Sequence, residues 1–230
     1  MLLTMKVLTQ GARAIAYSCA HAGDRAHHAE GETARHWQER SAFLTPIAKA
    51  FSTDVGVDVA SLGVQVHGGM GFIEETGAAR LLRDARIAPI YEGTNGIQAI
   101  DLVTRKLPLS GGDHVRGFIG ELKAISADVR ASNHPAFGET AGRLDVAIAD
   151  LETATDWLLS HQKDGDLAGP LSGATAYLRL FGLVLTTAYL AKGGLAAVDN
   201  GGTDKRVALC RFSAENLLAE TLALKDRVLN

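Results

Sequence analysis

The sequence predicts an all-α fold of two helical bundles in tandem, and three observations lead there. Apolar residues recur in steps of three and four along nearly the whole chain, which places them on single helix faces. No stretch alternates convincingly with the period of two that a strand requires. The composition is rich in alanine and leucine, with only 5 prolines in 230 residues, and this favours helices over a sheet. No internal repeat is evident.

The elements follow in order. Met1, Met5, Leu8, Ala12, Ile15 and Cys19 form a first stripe. It is already running at residue 1 with no capping residue before it, so the chain reads as entering partway through a helix. Gly23 and the polar run His27 to Thr33 are expected to end it. A second stripe, Leu44, Ile47, Phe51, Val55, Val59, Leu62 and Val66, stops at Gly68-Gly69, because glycine takes left-handed conformations cheaply. "GFIEET" reads as a loop. Thr76 is placed to cap a short helix through Ala88, closed off by Pro89, and Thr94 to cap another that carries Ile97, Ile100 and Val103 and ends near Pro108.

"LPLSGGD", Leu107 to Asp113, marks the domain boundary, giving a first unit over residues 1–107 and a second over 112–230. Four helical patterns lie beyond it. Val115, Phe118, Leu122, Ile125 and Val129 precede the stop "NHP"; Leu144, Ile148, Leu151, Thr155 and Leu158 run toward "KDGD"; Leu171 to Val198 is apolar nearly all round. After "DNGGTD", the stripe Val207, Cys210, Ala214, Leu217, Thr221, Leu224 and Val228 closes the chain.

Composition excludes several functions. A formal charge of -3 predicts neither nucleic-acid nor anionic-membrane binding. The most apolar run, Leu180 to Ala191 between Arg179 and Lys192, is too short to span a bilayer and reads as a buried helix. No signal peptide is visible. Cys19 and Cys210 lack CxxC spacing and read as buried reduced thiols of a cytosolic, hence cytoplasmic, protein. No metal is assigned: His21, His27 and His28 lack a carboxylate at a clear spacing, and His67, beside Gly68-Gly69, reads as a helix-terminal residue.

Chemistry concentrates between Gln65 and Gln98, in "QVHGGMGFIEETGAARLLRDARIAPIYEGTNGIQ". Glu92 follows the apolar "IAPIY" and precedes Gly93-Thr94. A carboxylate among apolar neighbours is poorly solvated and becomes a stronger base. Gly93 admits close approach to the backbone, and Thr94 opens a helix whose first N–H groups favour polar or anionic atoms. The combination suits proton abstraction beside a carbonyl. The plain alternative is a glutamate that stabilises a helix N-terminus. Arg83 and Asp84 read as a structural ion pair that positions the loop before Glu92, and Glu74 and Glu75 as solvated loop charges.

The ordered segments "QVHGGMGF" and "LLRDARIAPIYEGTNGIQ" closely resemble the acyl-CoA dehydrogenase family, whose paired motifs are Gln-x-x-Gly-Gly-x-Gly and Arg-Asp-Ala-Lys/Arg followed by Tyr-Glu-Gly-Thr. "IAKAF", Ile47 to Phe51, is similar to the helix that precedes them. The likeness runs over roughly residues 1–107. Residues 112–230 resemble the helical extension of a longer bacterial subgroup, some of whose members act on 3-methylthiopropanoyl-CoA.

The resemblance implies roles residue by residue. Glu92 aligns with the base that removes the pro-R α-proton of an acyl-CoA thioester while a hydride leaves the β-carbon for FAD, and its backbone N–H is expected to help hold the thioester carbonyl. Tyr91 would pack near the acyl chain and Gly93 would lie against the substrate. Thr94 would contact FAD. Gln65, Gly68 and Gly69 would touch the adenosine-diphosphate end of FAD bound by a neighbouring subunit. Gly96 departs from many relatives, which carry a glutamine there that also contacts FAD. The family expectation for the electron acceptor is electron-transfer flavoprotein. The family's N-terminal helical domain and β-domain have no counterpart here, so the chain reads as the C-terminal part of a larger flavoenzyme, inactive and without FAD when isolated, and a homo-oligomer. Two alternatives stand beside it: a non-enzymatic helical module for oligomerisation or partner binding, and a chain complemented by a second polypeptide that carries the flavin domains.

Overall fold

The structure, a computed structural model, describes residues 1–163, 167–201 and 205–230. Among the described residues it is helical throughout, with no strand.

Helices α1 (Leu2–His28) and α2 (Gly31–Val66) form an antiparallel hairpin; Cys19 lies against Ser41 and Thr45, and Met5 against Gly63. Gly23 does not end α1 as expected. It sits inside the helix facing Ser41, and packing along the hairpin outweighs the roughly 1 kcal/mol that glycine costs a helix. The second helix likewise begins thirteen residues before the first residue of its apolar stripe. Its polar first half is held by tertiary contacts: Arg40, buried, makes a bidentate pair with Glu121 at 2.6 and 2.9 Å and lies over the ring of Phe118. Cys19 is half-buried rather than buried.

Short elements follow: α3 (Gly69–Phe72), a 3₁₀ turn Glu74–Thr76, α4 (Ala78–Ala85) and α5 (Asn95–Asp101), which continues as one π-turn over Leu102–Lys106. After the turn Leu109–Gly112 come α6 (Asp113–Ser132), α7 (Thr140–Lys163), α8 (Ala168–Asp199), α9 (Lys205–Asn216) and α10 (Thr221–Leu229). Asn133, in the "NHP" stop, takes a left-handed conformation and ends α6. The "KDGD" stop and the "DNGGTD" turn fall largely on residues 164–166 and 202–204, outside the described residues. The closing stripe belongs to two helices separated by a 3₁₀ turn, Leu218–Glu220, yet all seven of its residues are buried.

Helix α8 organises the interior. By length and composition it could cross a membrane; it extends well beyond its most apolar run, Leu180 to Ala191, and closely matches the apolar pattern Leu171 to Val198. Here it is a core helix: Tyr177, Leu180, Phe181, Leu183, Val184 and Leu185 are fully buried. Phe181 meets Phe43 of α2 at 5.2 Å and Phe118 of α6 at 5.9 Å, and Tyr177 at 5.9 Å. Burying each such ring contributes about 1.5–3 kcal/mol. One continuous core therefore draws residues from both sequence halves. Cys210 lies at 0% exposure in a smaller adjoining cluster, and burial pushes its thiol up to about 12.

Candidate active site

Helix α2 is the rail on which the candidate site is built. At its C-terminal end His67 is the cap residue, its ring Nδ1 2.7 Å from the Gly63 carbonyl, a local structural role. Gly68 then turns the chain with φ 60°, a conformation that a side chain would strain. Thr76 does not cap α4. Its hydroxyl donates back to the Met70 and Ile73 carbonyls, and Gly77, with φ 84°, occupies the cap position. The helix also stops at Ala85, short of Ala88. Arg83 pairs not with Asp84 but with Glu74, at 2.6 and 2.8 Å, and its hydrogen bonds hold the Glu74 carboxyl below its ordinary range. Glu74 is thus a tether between the "GFIEET" turn and α4. Asp84 faces Arg80 at 3.7 Å.

The second part of the site is the loop Pro89–Asn95, closed by a bond from the Asn95 N–H to the Pro89 carbonyl at 3.0 Å. Glu92 sits in it with φ 55°, and Gly93 follows with φ 84°. A left-handed non-glycine residue costs about 1–2 kcal/mol, so the loop must be held. Thr94 caps α5 as expected, accepting from the Ile97 N–H at 3.5 Å. Gln98 Nε2 donates to the Glu92 carbonyl at 3.2 Å. From α2, Lys49 Nζ donates to the Gly93 carbonyl at 2.7 Å and to Asn95 Oδ1 at 2.8 Å. Asn95 Nδ2 donates to the Ala50 carbonyl, to Thr53 Oγ1 and to Asp54 Oδ1. Burial lifts the Asp54 carboxyl above its ordinary range, opposed by the Asn95 bond.

The opposite side of this loop is open. Glu92, Gly93 and Thr94 are exposed, and Tyr91 is 51% exposed. This corrects the expectation that "IAPIY" would wall the carboxylate in: Ile87 and Ile90 themselves face outward. Among the described residues, the Glu92 carboxylate has no ion-pair or hydrogen-bond partner, and the N–H groups of Glu92, Gly93 and Thr94 donate to no protein acceptor. Phe72, 81% exposed, Leu81 and Ile97 are further exposed apolar side chains of the same stretch of sequence.

Tyr91, Glu92, Gly93 and Thr94 are thus together, while Gln65, Gly68 and Gly69 stand apart at the end of α2. Thr53, which anchors Asn95, precedes Gln65 by twelve residues, about 18 Å along a helix axis. Lys49, Thr53, Asp54, Asn95 and Gln98 went unread in the sequence. The available signal was a lysine between Ile47 and Phe51 of the apolar stripe, with Thr53 one turn later on the same face.

Residues 1–107 match the family described as "Acyl-CoA dehydrogenase, C-terminal domain", and residues 118–230 that described as "Acetyl-CoA dehydrogenase C-terminal like". The chain belongs to the acyl-CoA dehydrogenase family. It is 39% identical, over 99% of its length, to the 3-methylmercaptopropionyl-CoA dehydrogenase of Ruegeria pomeroyi, covering 40% of that protein. It is 27% identical over 98% of its length to a butyryl-CoA dehydrogenase of Syntrophomonas wolfei, covering 38% of it. The chain thus spans about two fifths of the length of these relatives. The fold is shared with ACDH-11 of Caenorhabditis elegans, solved with C11-CoA, at a TM-score of 0.73 and 18% identity over 93% of this chain and 35% of that one. It is also shared with an acyl-CoA dehydrogenase of Bacillus anthracis complexed with FAD, at a TM-score of 0.70 and 16% identity over 98% of this chain and 41% of that one.

Proposed function

We propose that this chain forms the C-terminal helical part of a cytoplasmic FAD-dependent acyl-CoA dehydrogenase, with Glu92 as the base that takes the α-proton of an acyl-CoA thioester. The observation that carries this reading is the loop itself. A carboxylate stands on a strained, left-handed backbone, pinned from behind by α2 and α5 and free of any partner in front. Strain of this kind persists where the surroundings over-determine it, and it clusters at functional sites.

Each residue then has a task. Glu92 Oε accepts the proton from the α-carbon, and the free Glu92 N–H is available to bond the thioester carbonyl, which acidifies that carbon. Gly93 leaves room for the thioester, and Tyr91 offers its ring to the acyl chain. FAD, when bound, supplies the acceptor for the hydride that leaves the β-carbon, so that a 2-enoyl thioester results. The residues present fit one edge of that cofactor. Thr94 presents an exposed hydroxyl. Gly69 has no protein atom within 4 Å of where its Cβ would be, which leaves its backbone open to close approach by the cofactor. Gln65 lies about 18 Å along α2 from Thr53, the anchor of Asn95, and this spacing supports a homo-oligomer in which Gln65, Gly68 and Gly69 serve the FAD of another copy. We propose electron-transfer flavoprotein as the electron acceptor, and a division of labour between residues 1–107, which carry the site, and 112–230, which buttress it.

The experiment is a graft. This chain replaces the matching C-terminal two fifths of the Ruegeria relative, and dye reduction with acyl-CoA is measured beside flavin absorbance. The expected result is a yellow, active protein in which Glu92→Gln costs at least about 100-fold in kcat with flavin retained. The isolated chain is expected to be colourless and inactive, because nothing among the described residues encloses the flavin or shields Glu92 from water. A flavin-loaded graft that turns over nothing, or a Glu92→Gln graft at full rate, overturns the reading in favour of a non-enzymatic helical module.

A further inference from the structure

We propose that Lys49 is a positioning residue for Glu92: its ammonium holds the Gly93 carbonyl and so fixes the left-handed backbone on which the carboxylate stands. This rests on the reading of Glu92 as the base, and adds a residue to that site.

The loop Pro89–Asn95 has two kinds of restraint. The bond from the Asn95 N–H to the Pro89 carbonyl closes the loop on itself, and the Gln98 bond to the Glu92 carbonyl ties it to the helix it opens; neither ties it to α2. Lys49 and the Asn95 side chain supply the tie to α2. Asn95 is docked on α2 through Ala50, Thr53 and Asp54. Lys49 bridges the Asn95 amide oxygen and the Gly93 carbonyl, so one ammonium joins the docked residue to the left-handed one. Its acceptors are neutral oxygens, and a charge-assisted bond of 2.7 Å to a carbonyl is about twice as strong as a neutral one. Lys49 is itself half-buried between Ile47 and Phe51 on a helix packed into the core, so its stem is guided and its head has little freedom. Without it, residues 92 and 93 are free to relax toward right-handed or extended backbone, and the Glu92 side chain swings away from its direction. Gly93 relaxes easily; the cost falls on the aim of its neighbour.

The test has two arms. In the chain itself, Lys49→Met removes the donor and keeps the length. Amide exchange at Asn95 and Gln98 is expected to quicken at least about tenfold, with protection in α6 and α8 unchanged, and Lys49→Arg is expected to restore much of it. In the graft on the Ruegeria relative, Lys49→Met is expected to lower kcat at least about tenfold while KM stays within about threefold and flavin content is unchanged, again with partial rescue by arginine. Unchanged exchange, an unchanged kcat, or a loss expressed only as lost flavin or raised KM each overturns the proposal. Should Lys49→Met fail to fold, Lys49→Leu, which also removes the donor, replaces it under the same criteria. The Glu92→Gln graft separates the two claims: if that variant remains active, the reading of Glu92 as the base has failed, whereas an inactive Glu92→Gln beside a fully active Lys49→Met removes the role of Lys49 alone.

Discussion

Gly182 of α8 lies directly against the ring of Phe51 of α2: a Cβ on Gly182 would fall 2.2 Å from Phe51 Cδ2. The two helices, one from each half of the sequence, meet where neither tolerates an added atom. Gly182→Ala gains roughly 1 kcal/mol of helix propensity, yet it forces a buried aromatic ring to move. Overpacking costs typically about 1–3 kcal/mol and here more than cancels the gain, so urea denaturation should show net destabilisation. Gly193, in the same helix with nothing within 4 Å of its Cβ position, is the control: Gly193→Ala should stabilise by about 0.5–1 kcal/mol. A neutral Gly182→Ala would mean that α8 is not seated against α2 as described.

Much of the fold was legible because it rests on periodicity. The stripe from Val207 to Val228 predicted seven buried residues although a 3₁₀ turn interrupts its helices, since the three-and-four spacing survives the break. Thr94 was legible as a cap because the hydroxyl and the bond it makes are three residues apart. Thr76 misled for the same reason: its hydroxyl satisfies carbonyls behind it, and Gly77 turns the corner instead. What could not be read was tertiary. The partner of Arg83 is nine residues back, and the acceptor of Lys49 is 44 residues on. The apolar neighbours of Glu92 in sequence do not bury it, because Ile87, Ile90 and Tyr91 are themselves exposed.

The strain at Glu92 makes a prediction separate from catalysis. Glycine takes φ near 55° at no steric cost, while glutamate pays about 1–2 kcal/mol for it. Set against the greater backbone entropy that glycine loses on folding, Glu92→Gly should raise stability by about 0.5–1 kcal/mol while abolishing turnover in the graft. A loss of stability would show that the Glu92 side chain supports the loop instead of being carried by it.

The open face should make the isolated chain self-associate. Phe72, Leu81, Ile87, Ile90, Tyr91 and Ile97 are all at least half exposed within one stretch of the sequence, and apolar surface of this kind is covered by a partner or aggregates. Light scattering should give a mass above that of one chain, and replacing Phe72 and Leu81 by serine should shift the population toward monomer without lowering the denaturation midpoint, since neither side chain is packed in the core. A monodisperse monomer of the unaltered chain would count against this reading and against the homo-oligomer.

Acid should loosen the joint between α2 and α6 through His114. This imidazole is buried in the first turn of α6. Its Nε2 accepts from Arg40 Nε at 3.4 Å, and its Nδ1 faces Glu39 at 3.5 Å; His36 and Glu121 complete its charged surroundings. Burial, then the Arg40 charge, push it down to about 4 from an ordinary 6.5, against the pull of Glu39. The unfolded chain therefore takes up this proton first as pH falls. Between about 6.5 and about 4 it holds more protons than the folded chain, so stability present above pH 6.5 is progressively lost across that window, at up to about 1.4 kcal/mol per pH unit for one proton. Glu39 acts at the acid end of that window. Burial raises its carboxyl, but bonds from Ser110 and Arg35 outweigh that and hold it below its ordinary 4.5, so its share of stability is lost only as pH falls below that ordinary value. Urea midpoints of the wild-type chain at pH 7.5, 6 and 5 should fall more steeply than those of His114→Gln, whose amide cannot take up a proton in this range. Parallel slopes would assign the acid sensitivity to other groups.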